Sequence, residues 1–201
     1  NIATFNAVNL GTVPVVATVT VTPHFLNGAV TCDGPVETFT ITVNPTGQVN
    51  DPANQTVCVG SNTAAVNFTS NNTGGTTTYT WTTTSAGIGL PALGSGNITA
   101  FTASNASTAP VVATITVTPH FNNGAPVCDG PTQSFTITVN PTAQVNDPAN
   151  QVVCNGLPVT AVNFVTVDTG GTTTYAWINS EPGIGLAASG STNIASFNAV
   201  N

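Results

Sequence analysis

The sequence predicts an all-β protein made of tandem β-sandwich domains that repeat every 96 residues. Three observations support this prediction. Apolar and polar residues alternate in short runs, turn-forming residues separate the runs, and long phrases of sequence return at a fixed distance. Alternation with a period of two is typical of half-buried strands, and no stretch of the chain sustains the period of an amphipathic helix.

The alternating runs place β-branched and aromatic residues opposite threonines. Residues 15–22 and 38–43 put Val, Ala, Ile or Phe on one face and mostly Thr on the other, and Tyr79 and Trp81 alternate with Thr in the same way. Threonine suits the solvated face of a strand because its branched side chain packs while its hydroxyl remains in water. Stretches such as NPTG at 44–47 lie between the runs and have the composition of tight turns.

The repeat has a fixed period. The phrase VATVTVTPHF at 16–25 returns as VATITVTPHF at 112–121, and residues 1–105 match residues 97–201 at 67 positions by direct count, without an insertion. A period must be recognised before a fold is assigned, and this one is the length of a whole sandwich domain rather than of a solenoid unit.

Counting from residue 46 gives about seven short strands per period, the pattern of an Ig-like sandwich. Trp81 lies in the third strand, where Ig-like folds place a core Trp, so we expect it inside. The predicted strands lie near residues 48–50 together with 55–59, 64–70, 77–83, 98–103, 110–121 and 134–140, with a weaker strand or bend near 88–93. Residues 46–141 are therefore predicted to form one complete domain, between the C-terminal part of a preceding repeat (1–45) and the N-terminal part of a following repeat (142–201). An alternative division treats NPTG as an internal hairpin turn and places the boundary near 94–97.

The charge of the chain excludes several classes of partner. It contains no Lys or Arg, and seven acidic residues give a net charge of −7. Binding to nucleic acid or to anionic lipid needs basic side chains, so neither is expected. No run of apolar residues is long enough to span a bilayer, so we also predict no membrane insertion.

Several phrases carry a resemblance to a known family. QTVCVGSNTAAVNF, GIGLPALGSGNITAF, VVATITVTPHFNNGAPVCDGP and SFTITVNP resemble the PKD-like repeat of giant Bacteroidota cell-surface and adhesin proteins. The resemblance covers both periods. It implies Ig-like domains in long tandem arrays, secretion to the cell surface, and export by the type IX secretion system, but it does not identify a ligand.

The four cysteines predict disulfides, in agreement with an oxidising, extracellular setting. Cys58 follows the first strand of the 46–141 domain and Cys128 precedes its last strand. Because the first and last strands are neighbours in Ig-like folds, we expect a Cys58–Cys128 bond, with Cys32 and Cys154 paired elsewhere. The alternative joins Cys32 to Cys58 and Cys128 to Cys154, and the sequence leaves both open.

One motif brings metal-binding residue types together twice, as TPHFLNGAVTCDGP at 22–35 and TPHFNNGAPVCDGP at 118–131. The spacing of its His and Cys does not fit a zinc site. We interpret it as the end of the long strand, a hairpin loop, one half of a disulfide and the entry to the last strand, and we predict no metal and no cofactor. Calcium is the alternative, with turn carboxylates as its candidate ligands: Asp51, Asp129 and Asp147.

The sequence predicts no enzyme and no catalytic residues, since no nucleophile motif or metallohydrolase motif occurs. The function we expect is a structural tandem-repeat segment of a secreted bacterial surface protein that forms a stalk or extracellular filament. Its partners would be further copies of the same repeat, in the same chain or in head-to-tail subunits. The alternative is an adhesin module that binds glycans or another cell surface, which requires exposed aromatic residues or a polar groove.

Overall fold

A computed structural model describes residues 2–201. Its regular elements in this range are β-strands and two single-turn 3-10 helices, so the predicted all-β class is confirmed. We refer to residues 2–45, 46–141 and 142–201 as the N-terminal, central and C-terminal segments. Within the described range, the helices are too short to cross a membrane.

The strands in chain order are β1 (Val15–Val21), β2 (His24–Asn27), β3 (Val30–Asp33), β4 (Glu37–Val43), β5 (Gln55–Cys58), β6 (Thr76–Thr83), β7 (Leu93–Ser95), β8 (Val111–Asn122), β9 (Cys128–Asp129), β10 (Gln133–Asn140), β11 (Pro158–Val159), β12 (Trp177–Ile178), β13 (Ser189–Gly190) and β14 (Phe197–Asn198). The 3-10 helices are Ala86–Ile88 and Pro182–Ile184.

The central segment holds a six-stranded sheet. Its order is β5-β10-β8-β6-β7, and the short β9 pairs with the end of β8. All neighbours are antiparallel except β5 and β10, which run parallel with Val57 opposite Val139. The first and last strands of the segment are therefore neighbours, as expected, and their parallel direction decides where the cysteines lie.

One face of this sheet is covered by a second layer of extended chain. Seven side chains of the main hydrophobic cluster project from the sheet: Trp81, Ala113, Ile115, Val117, Phe135, Ile137 and Val139. Seven more pack against them from the other layer: Val49, Val66, Phe68, Ile88, Leu90, Ile98 and Ala103. As predicted, Trp81 lies inside. Apart from Pro45, the buried hydrophobic residues of the described chain fall between Val49 and Val139.

The second layer is less regular than the sequence predicts. The predicted strands at 64–70 and 98–103 meet only through isolated bridges, one of them between Val66 and Ile98. Polar side chains accept hydrogen bonds from backbone amides that would otherwise pair with a neighbouring strand. The amide of Phe68 donates to Asn97 Oδ1 at 2.9 Å, and the amide of Ala64 donates to Gln55 Oε1 at 2.9 Å. Such local bonds compete with strand pairing.

The flanking segments contain strand pairs without a comparable core. In the N-terminal segment β1 pairs with β4 and β2 with β3, and in the C-terminal segment β11 pairs with β14 and β12 with β13. Phe135 is 2% exposed, whereas Phe39, which is 96 positions earlier, is 45% exposed. Ile88 is fully buried, whereas Ile184 is 40% exposed. Equivalent apolar residues are thus buried in the central segment and open at both flanks.

Candidate functional sites: the repeated hairpin and the segment junctions

The repeated TPHF–CDGP motif forms a β-hairpin closed by its His and Asp. His120 lies opposite Asp129, and its Nδ1 is 2.6 Å from Asp129 Oδ1. In the N-terminal segment His24 lies opposite Asp33 with a distance of 2.5 Å between the same atoms. The hairpin interpretation of the motif agrees with this geometry, and the cross-strand pair gives the His and Asp a structural role.

A third residue joins the pair in the central segment. The Thr80 hydroxyl oxygen lies 2.8 Å from Nε2 of His120, which extends the chain of contacts to hydroxyl, imidazole and carboxylate. This is the order of a nucleophile, a base and an orienting acid. Sequence reasoning missed Thr80, because it is 40 residues from His120 and only the register of β6 against β8 brings them together.

The surroundings of Thr80 favour a structural role, in which the three side chains connect neighbouring strands on the sheet surface, over acyl-transfer chemistry. Thr80 lies within a strand that is paired on both sides, opposite Thr118 in β8 and Ser95 in β7. The backbone around it therefore belongs to two ladders, whereas an oxyanion hole needs N–H groups aimed at the reacting atom. One period later the equivalent position is Ala176, so the following repeat cannot form the same three-residue contact.

The cysteines lie apart from one another. All four, within the described residues, are free. Cys58 ends β5 opposite Asn140, whereas Cys128 precedes the start of β10. The eight residues of β10 span roughly 23 Å at about 3.3 Å per residue. The structure therefore does not bring Cys58 and Cys128 within the Cα separation of a disulfide, about 4–7 Å, and the expected bond is not formed.

The physical reason for this difference is the direction of β5. An antiparallel first strand would have placed Cys58 near the start of β10 and therefore near Cys128. The parallel strand places it at the opposite end. The alternative pairs, Cys32 with Cys58 and Cys128 with Cys154, are not formed either.

The calcium candidates are spread over the surface. Asp51 and Asp147 are exposed, and the Asp129 carboxylate contacts His120. Among residues 2–201, no three His, Cys, Asp or Glu side chains group together as a metal site would require.

One acidic residue differs from these. Asp168 Oδ2 accepts hydrogen bonds from the amide of Gln144 at 2.7 Å and from the Thr166 hydroxyl at 3.0 Å, while Oδ1 is buried without a partner in the described chain. The residue in its place in the central segment is Asn72, whose Nδ2 donates to the Thr46 carbonyl at 3.1 Å. The carboxylate keeps the acceptor role of Asn72 but cannot donate, which leaves one oxygen unsatisfied.

The junctions between segments are built by one contact that occurs twice. The amide of Thr73 donates to the Thr12 carbonyl at 3.0 Å, and the amide of Thr169 donates to the Thr108 carbonyl at 2.9 Å. The two contacts are 96 residues apart on both sides. A loop of each following segment therefore bonds to a loop of the segment before it.

Glycine makes this contact close. A Cβ at Gly74 would lie 2.9 Å from Cδ of Pro14, and a Cβ at Gly170 would lie 2.9 Å from Cδ of Pro110. Both glycines have positive φ, +76° and +72°, a backbone conformation that residues other than glycine rarely adopt. The NNTGG turn predicted from the sequence is thus also a junction element.

Comparison with known proteins adds no relative to this picture. No family model matches the chain, and a search of curated proteins gave no match.

Proposed function

We propose that this chain is a structural segment of a secreted bacterial surface protein, in which Ig-like β-sandwich modules of 96 residues follow one another as a stalk or extracellular filament. Residues 46–141 would be one complete module, and the flanking segments would be parts of its neighbours. The observation that carries the proposal is the junction contact, which occurs with the same atoms and nearly the same distance at both ends of the central segment.

The linkers between segments support a stiff array. Pro45 is fully buried, and the carbonyl of Thr46 accepts the bond from Asn72, so the chain passes directly from one segment into contact with the next. The Asn44 side chain also contacts Asn123 at 3.4 Å. Flexible linkers are rich in Gly and Ser and make few contacts, which is the opposite pattern.

The exposed apolar residues of the flanks support continuation of the array. Burying a Phe or Ile side chain contributes about 1.5–3 kcal/mol, so Phe39 and Ile184 each represent stabilisation that the central segment has and the flanks lack. Neighbouring modules of the same kind would cover these residues. The secreted setting rests on the resemblance to PKD-like repeats, and the lack of Lys and Arg leaves no site for trypsin-like proteases.

The proposal is tested by lengthening the chain in whole periods and measuring particle length by electron microscopy and small-angle X-ray scattering. We expect a constant increase per added period and a narrow distribution of angles at the junctions. The double variant Gly74→Ala and Gly170→Ala should bend more, because each added Cβ meets a proline. Gly60→Ala is the matched control, since Gly60 shares the positive φ at +82° but has nothing within 4 Å. Freely jointed particles from the unsubstituted chain would contradict the proposal.

A further inference from the structure

We infer that the open face of the C-terminal segment binds the N-terminal segment of a second copy of this chain, head to tail, so that the two segments together take on the strand order of the central segment. The inference deepens the proposed function and takes its biological meaning from it. It can be tested on the 201-residue chain alone.

The receiving face is a groove of about 440 Å³ in the C-terminal segment. Val152, Ile184 and Val200 are among its lining residues. Val153, which also lines the groove, is 39% exposed, and residues 151–154, the counterpart of β5, have no strand partner within the described chain. In the central segment β10 pairs with β5 along this edge, so the groove lies where the central segment has its parallel strand.

The N-terminal segment carries the strand that fits. β4 has the counterparts of the inward residues of β10, and within residues 2–201 it is paired along one edge, with β1. Phe25 in β2 is 70% exposed, whereas its counterpart Phe121 is fully buried, with its ring against Gly75. The N-terminal segment is therefore open on the side that the C-terminal segment would cover.

The central segment supplies the register of the complex. Val57 lies opposite Val139 and Cys58 opposite Asn140 in the parallel pair. In the complex, residues 151–154 take the place of β5, which is 96 residues earlier, and β4 of the second copy takes the place of β10, which is 96 residues later. This pairing sets Val153 of one copy opposite Val43 of the second copy, and Cys154 opposite Asn44. The antiparallel pairing of Trp81 with Val117 likewise sets Trp177 opposite Val21 of the second copy.

A second copy is the occupant that the chain itself can provide. The N-terminal segment of the same chain is bonded to the other end of the central segment, through Thr12 and Thr73, and so lies away from the groove. With no Lys or Arg anywhere, opposite charges cannot drive this docking. It would depend on strand addition and on burial of apolar side chains.

Engineered cysteines test the register. In a chain with Cys32, Cys58 and Cys128 changed to Ser, Asn44→Cys should form a disulfide with Cys154 of another copy. Oxidised glutathione would be the oxidant: it takes up the electron pair, the two thiols release their protons, and glutathione is left reduced. We expect a ladder of covalently joined chains in non-reducing electrophoresis, and peptide mapping should assign the bond to positions 44 and 154. The ladder should be absent when Cys154 is also changed to Ser.

The positive control uses the same register inside one chain. Asn140→Cys, with Cys58 kept and the other cysteines changed to Ser, should give an intrachain bond and a monomeric band, because these two positions are opposite each other in β10 and β5. If this control forms its bond and Asn44→Cys gives no ladder, or a ladder that maps to other positions, the inference is overturned.

A single methyl group tests the docking without touching the central core. A Cβ at Gly75 would lie 2.5 Å from Cζ of Phe121, whereas a Cβ at the equivalent Gly171 meets nothing within 4 Å. In the complex Phe25 of the second copy takes the place of Phe121. Gly171→Ala should therefore leave the unfolding of the central segment unchanged and abolish concentration-dependent association in light scattering.

The outcomes separate this inference from the proposed function. A monomer of 20.1 kDa at every concentration would overturn the inference. Regular spacing in the lengthened chains would then still support the proposed array, with continuing chain as the cover of the groove. Association that Gly171→Ala does not weaken would also overturn the inference, because it would occur on another surface.

Discussion

Gly94 in β7 lies directly against the indole of Trp81 in β6: a Cβ at Gly94 would be 2.1 Å from Cζ2 of the ring. The same relationship joins Gly190 and Trp177, where the distance is 2.3 Å. A buried tryptophan in this sheet therefore requires a glycine on the neighbouring strand. The conformation of Gly94 is not the reason, since its φ is not positive.

Gly94→Ala should destabilise the central segment by about 1–3 kcal/mol, because the added methyl group forces the indole or the strand to move in a filled core. Gly87→Ala is the control, since its Cβ would meet only the Ser85 hydroxyl at 3.7 Å. Urea unfolding followed by circular dichroism measures both. Equal stability of the two variants would show that the ring has room to shift.

Phe135 and Phe39 form a matched pair for measuring how much burial of the same side chain contributes to stability in the central segment and at the open flank. Phe135→Ala should cost about 3–5 kcal/mol, as a buried aromatic truncation does, while Phe39→Ala should cost less than about 1 kcal/mol in the monomeric chain. Both are measured by chemical unfolding at low protein concentration. If the two losses were similar, the N-terminal segment would have to possess a core of its own.

Tyr79 should make the protein sensitive to alkaline conditions. Burial raises the pKa of the Tyr79 hydroxyl above its usual value near 10, and a hydrogen bond with Ser70 partly lowers it. The unfolded chain then loses this proton at a lower pH than the folded chain. The contribution of Tyr79 protonation to the free energy of unfolding is complete below about pH 10, and it is lost as the pH rises through the pKa of Tyr79 in the folded chain.

We therefore expect the free energy of unfolding to fall more steeply above pH 10 in the parent than in Tyr79→Phe. A background without cysteines keeps thiol titration out of the measurement, and the chain has no lysine to titrate in this range. Parallel curves for the two proteins would exclude Tyr79 as the source of the effect.

The Thr80–His120–Asp129 contacts should matter little for stability and not at all for hydrolysis of esters. Asp129 is largely exposed, so His120→Ala should cost about 1 kcal/mol or less. Thr80→Ala, which copies Ala176, should leave the background hydrolysis of an activated phenyl ester unchanged. A rate that depends on Thr80 would instead point to a working nucleophile.

The strand register explains which features the sequence could predict. The long strands β1, β4, β6, β8 and β10 follow the alternation of apolar residues and Thr, and their observed bounds lie within about two residues of expectation. The alternation sets which residues face inward, so Trp81 and Phe135 could be placed in the core. It says nothing about the direction of a partner strand.

The errors follow from that limit. The expected Cys58–Cys128 bond assumed correctly that β5 and β10 are neighbours, but it did not foresee that they run parallel. The Thr80–His120 contact depends on pairing across a long separation, and the irregular layer depends on Asn97 and Gln55 side chains that capture backbone amides. Each is a property of long-range geometry, which local composition does not encode.

The parallel pair of β5 and β10 has a consequence for tension along the chain. A pull on both sides of the central segment would act on the beginning of β5 and the end of β10 in opposite directions. The two strands would have to slide lengthwise past each other, and their backbone hydrogen bonds would share the load together. An antiparallel hairpin pulled at its open end loses such bonds one at a time. A filament of these modules would accordingly resist drag from flowing liquid at this strand pair in every unit.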